Sequence, residues 1–463
     1  MLDTLSVSLS PQTLVLLGEA LFLFALLHSI YQRRSPTSMI AWLLAISLLP
    51  YVAVPLYFLV GFRKRKSIYK KSKLSLPDST AEAVPSSNPI AAILHNTGIP
   101  RATRDNRVEL YFSGVDAFRA LLKEIRNASK SIYISTYVFR NDAVTRELLA
   151  ALTGKASQGV TVKLLIDSLG SFQLYFYQSP LKALRNAGGI VEFFMPLLRM
   201  PLRNYINLRN HRKVYLFDNR LVISGGMNLS RKYMGPAPDG KRWNDLLFIA
   251  EGSAAAHYYR IFAADWAYAT VETLPPDVGA VHGSGNTYLQ VVPSGPDVEG
   301  DPLFEALLSA IYAAKKRIWI VTPYFVPDMS IMSALIIAQH KNVDVKLITP
   351  RQSDHLIVDL CRSSFMRELE EHTVHVALYE GQMLHAKAIL FDDFGAMLGS
   401  VNIDNRSLFL NYEVVSFAYS PEVIENLEAW MLDILASSGR SIAPAGRLRR
   451  LGENLMRILA PEL

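Results

Sequence analysis

The stretch HRKVYLFDNRLVISGGMN, residues 211–228, decides the fold, because the chain writes it a second time as HAKAILFDDFGAMLGSVN at residues 385–402. His211, Lys213, Asp218, Gly225 and Asn228 answer to His385, Lys387, Asp392, Gly399 and Asn402, each 174 residues further on. In a strand, side chains alternate faces, so His211 and Lys213 project together, as do His385 and Lys387, while Arg212 and Ala386 point the other way. The runs VYLFDNRLVISG and AILFDDFGAMLG read as β-hairpins turning near DNR and DDFG. Their returning strands bring Gly225–Gly226 and Gly399–Ser400 back beside the His and Lys.

The repeat reaches beyond the hairpins. KSIYISTYVFRND (130–142) matches KRIWIVTPYFVPD (316–328), and GVTVKLLID (159–167) matches NVDVKLITP (342–350). Each copy opens on a helix-like stretch, AFRALLKEIRNA or LFEALLSAIYAA, with apolar residues at helical spacing. Helix, buried strand, helix, buried strand and hairpin, written twice, argue for an α/β protein of two similar domains. The divisions expected are an apolar N-terminal part (1–62), a basic stretch and linker (63–105), a first domain (106–272), a Pro/Gly-containing linker (273–290) and a second domain (291–463).

The bulk numbers send the reader to a membrane first. Half of the 463 residues are hydrophobic and the mean hydropathy is +0.17, high for a wholly soluble chain. No charged residue occurs from Ser35 to Phe62, and residues 13–31 are apolar except for Glu19 and His28. Two transmembrane helices are expected here, the second kinked at Pro50 and Pro55. Arg33 and Arg34 lie between them, and seven Lys or Arg residues follow within 63–73. By the positive-inside rule this places the rest of the chain in the cytoplasm and the short loop outside. The basic run suits anionic headgroups. The net charge of +7 fits lipid and nucleic acid equally, and the single cysteine, Cys361, excludes an internal disulfide.

One imidazole, one ammonium and one amide, each supplied twice, suit a phosphate. Lys213 and Lys387 bring charge, and Asn228, Asn402 and the backbone at Gly226 and Ser400 bring directional bonds. A neutral imidazole attacks phosphorus, and a second, protonated one gives its proton to the departing alkoxide. Asp218 and Asp392 complete the repeated motif; at hairpin turns, their carboxylates read first as ties to nearby backbone. The other eight histidines read as ordinary core or surface residues. His-x-Lys is poor zinc spacing, and neither a P-loop nor a carboxylate cluster for magnesium is present in the sequence.

At these residues the chain resembles the phospholipase D superfamily, whose mark is a paired His-x-Lys-x4-Asp, here HRKVYLFD and HAKAILFD. The stretches SGGMNLSRKY, VVPSGPD, LHAKAILFDD and GSVNIDNRSLFLNYE, with the two apolar N-terminal runs, are similar to bacterial cardiolipin synthases of that type. The resemblance implies two phospholipase D-like domains sharing one active site at their interface. It implies transfer of a phosphatidyl group between two phosphatidylglycerols through a phosphohistidine, without metal or cofactor, at the bacterial cytoplasmic membrane. It casts His211 as nucleophile and His385 as general acid, then base, with the reverse left open, and Asp245 and Glu413 as the acids orienting the rings. Asn244 stands where the family usually has a basic residue.

The partners expected are phosphatidylglycerol, other anionic phospholipids and the bilayer, not nucleic acid; the sequence leaves the oligomeric state open. Residues 171–181, 193–213 and 446–463 are the stretches suited to lipid contact, the last with Leu448, Leu451, Leu455 and Leu459 on one helical face. A hydrolase making phosphatidic acid, a transferase using another donor lipid, a nuclease and an inactive scaffold are the competing readings.

Overall fold

The computed structural model describes residues 10–31, 36–60, 74–77, 84–85, 87–197, 208–275, 283–440, 442–457 and 460. The basic run 63–73, Arg33, Arg34, residues 198–207 and Leu459 lie outside them.

The first copy contributes β1 (Thr103–Tyr111), β2 (Ser131–Thr136), β3 (Thr161–Asp167), β4 (Ile190–Phe194), β5 (Val214–Phe217), β6 (Leu221–Gly225) and β7 (Leu247–Glu251). The second contributes β8 (Thr287–Ser294), β9 (Arg317–Val321), β10 (Phe325–Val326), β11 (Asp344–Pro350), β12 (His375–Tyr379), β13 (Ala388–Phe391), β14 (Gly395–Gly399), β15 (Ile403–Asp404), β16 (Glu413–Ala418) and β17 (Ser438–Arg440). Across the sheet the first copy runs β4-β3-β2-β5-β6-β7-β1 and the second β12-β11-β9-β13-β14-β16-β8, the same order with equivalent strands in equivalent places. β1 and β8 then pair antiparallel, so both copies form one 15-stranded sheet, with β17 added beside β12.

Strands β2, β3, β9 and β11 read as nearly unbroken apolar runs because both sheet faces are covered. On one face each copy has its own helices, Gly114–Asn127 and Ala143–Ser157 in the first, Pro302–Ala313 and Met329–His340 in the second. On the other, helices Ala254–Thr270 and Pro421–Ala436 pack into a single core fed by both copies, with Phe262, Trp266, Leu427 and Met431 fully buried. Residues 89–105 do more than link: Asn88 caps the helix Pro89–Asn96, which packs on Pro302–Ala313, and β1 begins at Thr103.

Both hairpins form where the repeat places them, β5–β6 and β13–β14. Asp218 sits in the left-handed region at φ +53° and accepts from the backbone N–H groups of Ser129, Lys130 and Ser131. Asp392, at φ +46°, does the same for Lys315, Lys316 and Arg317. Each carboxylate thus clips its turn to the start of the neighbouring strand. Gly225 and Gly399 are required by close approach: a Cβ would come within 2.5 Å of the Leu246 or the Val414 carbonyl oxygen.

The N-terminal part departs from two simple spans. Helix α1 (Pro11–Tyr31) is long and apolar enough to cross a membrane over Pro11–His28. The second apolar run instead breaks into α2 (Pro36–Leu48) and α3 (Pro50–Val60). The rings of Trp42 and Tyr57 lie 5.3 Å apart, where a continuous helix would separate them by ~22 Å. The run therefore folds back on itself. Pro50 offers no N–H and holds Leu49 away from helical geometry, and fully buried Tyr57 takes a hydrogen bond of 2.8 Å with His28 of α1. At ~20 and ~16 Å, neither α2 nor α3 spans a hydrocarbon core of ~30 Å.

Arg212, on the far side of the strand from His211 and Lys213, ties the copies together from within. Fully buried, it meets Asp265 of the first copy at 2.8 Å, Asp297 of the second at 3.0 Å, and the Ser294 and Glu413 carbonyls. Removing one partner of a buried ionic set leaves charge in a dry interior at a cost of ~3–5 kcal/mol. Arg212→Ala should therefore lower the unfolding free energy by about that amount, seen as a large fall in the urea midpoint of the detergent-solubilised protein.

Candidate active site

Two short backbone pairings between the copies build the site. The His211 N–H donates to the Tyr412 carbonyl at 2.8 Å, and the His385 N–H donates to the Asn244 carbonyl at 2.7 Å. The residue after each acceptor is an acid. Glu413 Oε1 lies 3.0 Å from His211 Nδ1, close enough for an ion pair though off the hydrogen-bonding line. Asp245 Oδ2 lies 2.7 Å from His385 Nδ1. Each copy thus supplies one histidine and the acid for the other copy's histidine. Spacing along one copy carries no sign of that exchange.

Both rings open onto one cavity of about 540 Å³, which Asn228 and Asn402 also line. Asn228 uses its side-chain oxygen on the Val138 N–H, whereas the buried Oδ1 of Asn402 has no hydrogen-bond partner among the described residues. Lys213 Nζ donates to the His211 carbonyl at 2.8 Å. Lys387 donates to the His385 carbonyl and lies 2.9 Å from Nδ1 and 3.2 Å from Nε2 of that ring. The structure sets Gly226 and Ser400 behind the rings: a Cβ at 226 would fall 2.1 Å from Asp245, and the Ser400 hydroxyl donates to Glu413 at 2.5 Å. Asp218 and Asp392 lie at the far ends of β5 and β13, outside the cavity lining.

Burial governs the charge states. It draws the His385 pKa down to about 4, with Lys387 pushing the same way and Asp245 opposing. His211 is lowered as well, again by burial, against the pull of Glu413. Burial also lowers Lys213 to about 8 and Lys387 to about 7. With the cleft empty, both imidazoles are neutral at pH 7. A phosphodiester anion between the lysines reverses the bias, because negative charge at the cleft favours every protonated form.

The sequence reading passed over several residues of this cleft. Tyr137 meets the His211 ring edge-on at 4.6 Å, and Tyr233 and Trp243 each lie 5.2 Å from the His385 ring. Arg140, Arg209 and Lys232 line the first copy's side; Asp354, His355, Asp404 and Arg406 line the second's. His355 thus belongs to the cleft although nothing distinguishes it in sequence. Tyr324 donates to Asp354 at 2.5 Å, and burial raises Asp404 to about 6. The quoted repeats contain Tyr137, Arg140 and Tyr324. The loop bearing Asp354 and His355 has no matching residues in the first copy. Among the described residues, no three His, Cys, Asp or Glu side chains form a metal-binding group.

Comparison with known proteins agrees with this geometry. The family model described as "Cardiolipin synthase, PLD-like domain" matches residues 121–266 and 307–435, and that of the phospholipase D-nuclease N-terminal region matches 20–61. A cardiolipin synthase of Listeria monocytogenes is 32% identical over 89% of this chain and 90% of its own length. The major cardiolipin synthase of Bacillus subtilis is 32% identical over 95% of this chain and 97% of its own. The crystal structure of a phosphatidylserine synthase from Haemophilus influenzae shares the fold, with a TM-score of 0.61 over 81% of this chain and 97% of that one, at 16% identity. With both halves of the body matched and the paired His-Lys motifs meeting in one cleft, the chain belongs to the phospholipase D-type cardiolipin synthase family.

Proposed function

We propose that the protein is a phosphatidyltransferase that joins two phosphatidylglycerol molecules into cardiolipin and glycerol. The observation that carries this reading is the pair of imidazoles on one cavity, each braced by a carboxylate from the opposite copy. Kinship with cardiolipin synthases over most of the chain supports cardiolipin as the product. His211 attacks the phosphorus of the first lipid, and His385 gives a proton to the departing glycerol oxygen. A phosphatidyl-histidine, in which a P–N bond replaces the broken P–O bond, and free glycerol result. His385, now neutral, takes the proton from the terminal hydroxyl of the second phosphatidylglycerol as that oxygen displaces His211. Lys213, Lys387, Asn228 and Asn402 hold the phosphoryl oxygens. Glu413 and Asp245 stabilise imidazolium on their respective rings, as the third member of a triad does.

The reversed roles have one observation in their favour. Asp245 bonds His385 Nδ1 at 2.7 Å, which leaves the lone pair on Nε2, and burial keeps this ring neutral. Trapping the labelled phosphoenzyme and locating the label decides between them.

The same reading has α1 cross a bacterial cytoplasmic membrane once, with the catalytic copies on the cytoplasmic side. In sequence, Arg33–Arg34 and the seven basic residues of 63–73 bracket the α2–α3 run, and the positive-inside rule favours basic residues on the cytoplasmic side.

Purified protein given phosphatidylglycerol vesicles alone should release glycerol and form cardiolipin in equal amounts, read by mass spectrometry; phosphatidic acid as sole product overturns the transfer reading. His211→Ala and His385→Ala should each lower turnover at least ~1,000-fold, because the two act as a unit. Nitrogen NMR of the ligand-free protein should show His385 neutral down to about pH 5, with a midpoint near pH 4. Asp245→Asn should move that midpoint lower still, since the carboxylate is what opposes the depression.

A further inference from the structure

The C-terminal helix Arg447–Met456 is amphipathic the wrong way round for a helix of a soluble domain. Its polar face is the one packed on the protein. Glu453 is 1% exposed, held by Arg367 at 2.8 Å and by Arg449 at 2.9 Å, and Asn454 accepts from Ser364 at 2.7 Å. Three leucines face outward, Leu448 at 86%, Leu451 at 67% and Leu455 at 61% exposed, while Met456 at the helix end packs on the core. Spacings of three and four put these leucines on one stripe, opposite the packed face. Arg447, Arg449 and Arg450 cluster at its first turn.

The helix underneath is Leu356–Glu371, and the two run antiparallel, since Arg450 pairs with Glu371 and Arg457 with Glu368. The first turn of Leu356–Glu371 borders the cleft: His355 and Val358 line it, and Leu356 and Ile357 are 76% and 52% exposed beside it. The C-terminal helix therefore points toward the cleft, and just past it Asn405, between the lining residues Asp404 and Arg406, donates to the Ala460 carbonyl.

We propose that this helix lies in the headgroup layer of an anionic bilayer, with Leu448, Leu451 and Leu455 inserted and Arg447, at its first turn, on lipid phosphate. An apolar stripe flanked by basic residues matches such an interface, where buried aliphatic area and anionic headgroups both contribute. Through the buried Arg367–Glu453 pair, the docked helix fixes the height of the cleft mouth above the bilayer. This deepens the phosphatidyltransferase reading by naming the surface that meets the substrate's membrane.

The test measures depth, not turnover, so its failure and that of the enzymatic reading are separable. In a Cys361→Ala background, Leu451→Cys carries a nitroxide, and Lys123→Cys, on a side chain 71% exposed in the first copy, serves as the aqueous control. Full-length protein is reconstituted into vesicles of equal phosphatidylglycerol and phosphatidylcholine. At position 451, collisions with a water-soluble nickel chelate should fall at least five-fold below those at 123, and the protection should shrink in pure phosphatidylcholine. Equal accessibility at both positions overturns the proposal. Equal protection in both lipids overturns its headgroup part, and dipolar broadening between nitroxides of two copies shows the stripe to be a dimer face instead.

Discussion

Each histidine in this protein depends on a carboxylate that belongs to the other half of the chain. Glu413 reaches His211 and Asp245 reaches His385, and both arrive on the residue that follows a backbone hydrogen bond between the copies. One local device, used twice, therefore sets a carboxylate beside each ring and joins the halves. Neither copy holds a braced imidazole by itself, so duplication is what makes the site. Arg212 supports the same seam from the opposite side of the strand, with ion pairs to an acid from each copy. Its counterpart is Ala386, fully buried, so the pseudo-symmetry stops at this position.

Burial explains why the site works as chemistry and why it costs stability. Four ionisable groups, His211, Lys213, His385 and Lys387, are buried at the cleft, where desolvation disfavours their charged forms. A phosphodiester is the group whose arrival relieves this, since its charge is opposite to the one the cleft withholds. The lysines then act as anion-responsive partners, and the rings remain neutral until there is something to attack. Asp218 and Asp392, part of the same repeated motif, serve folding: each closes its hairpin against three backbone N–H groups about seven residues of strand away from the chemistry.

Much of this was legible in the sequence because a repeat states its own register. The hairpins, the alternation of Lys213 with Arg212, and the α/β layering all follow from period and spacing, and the sheet order confirms that the copies are built alike. The exchange of acids was not legible, because spacing within one copy says nothing of which copy's ring an acid will meet. Asp354 and His355 were hidden for a different reason: their loop has no echo in the first copy, so the comparison that singled out His385 had nothing to work on. The break of the second apolar run into two packed helices was not legible, because length and hydropathy do not register a fold-back. The deciding contacts, Trp42 with Tyr57 and Tyr57 with His28, are tertiary.

The joining of β1 to β8 has a consequence for how such a molecule moves. Enzymes assembled from two lobes commonly open and shut like a clamshell, breathing about a flexible waist. Here the waist is the middle of a β-sheet, where β1 of one copy pairs with β8 of the other, and the guanidinium of Arg212 holds an acid from each. Parting the lobes would tear that fabric. Traffic of two bulky, double-tailed molecules and a small alcohol through the cleft is therefore left to the surface connections around its mouth, while the floor beneath them stays still.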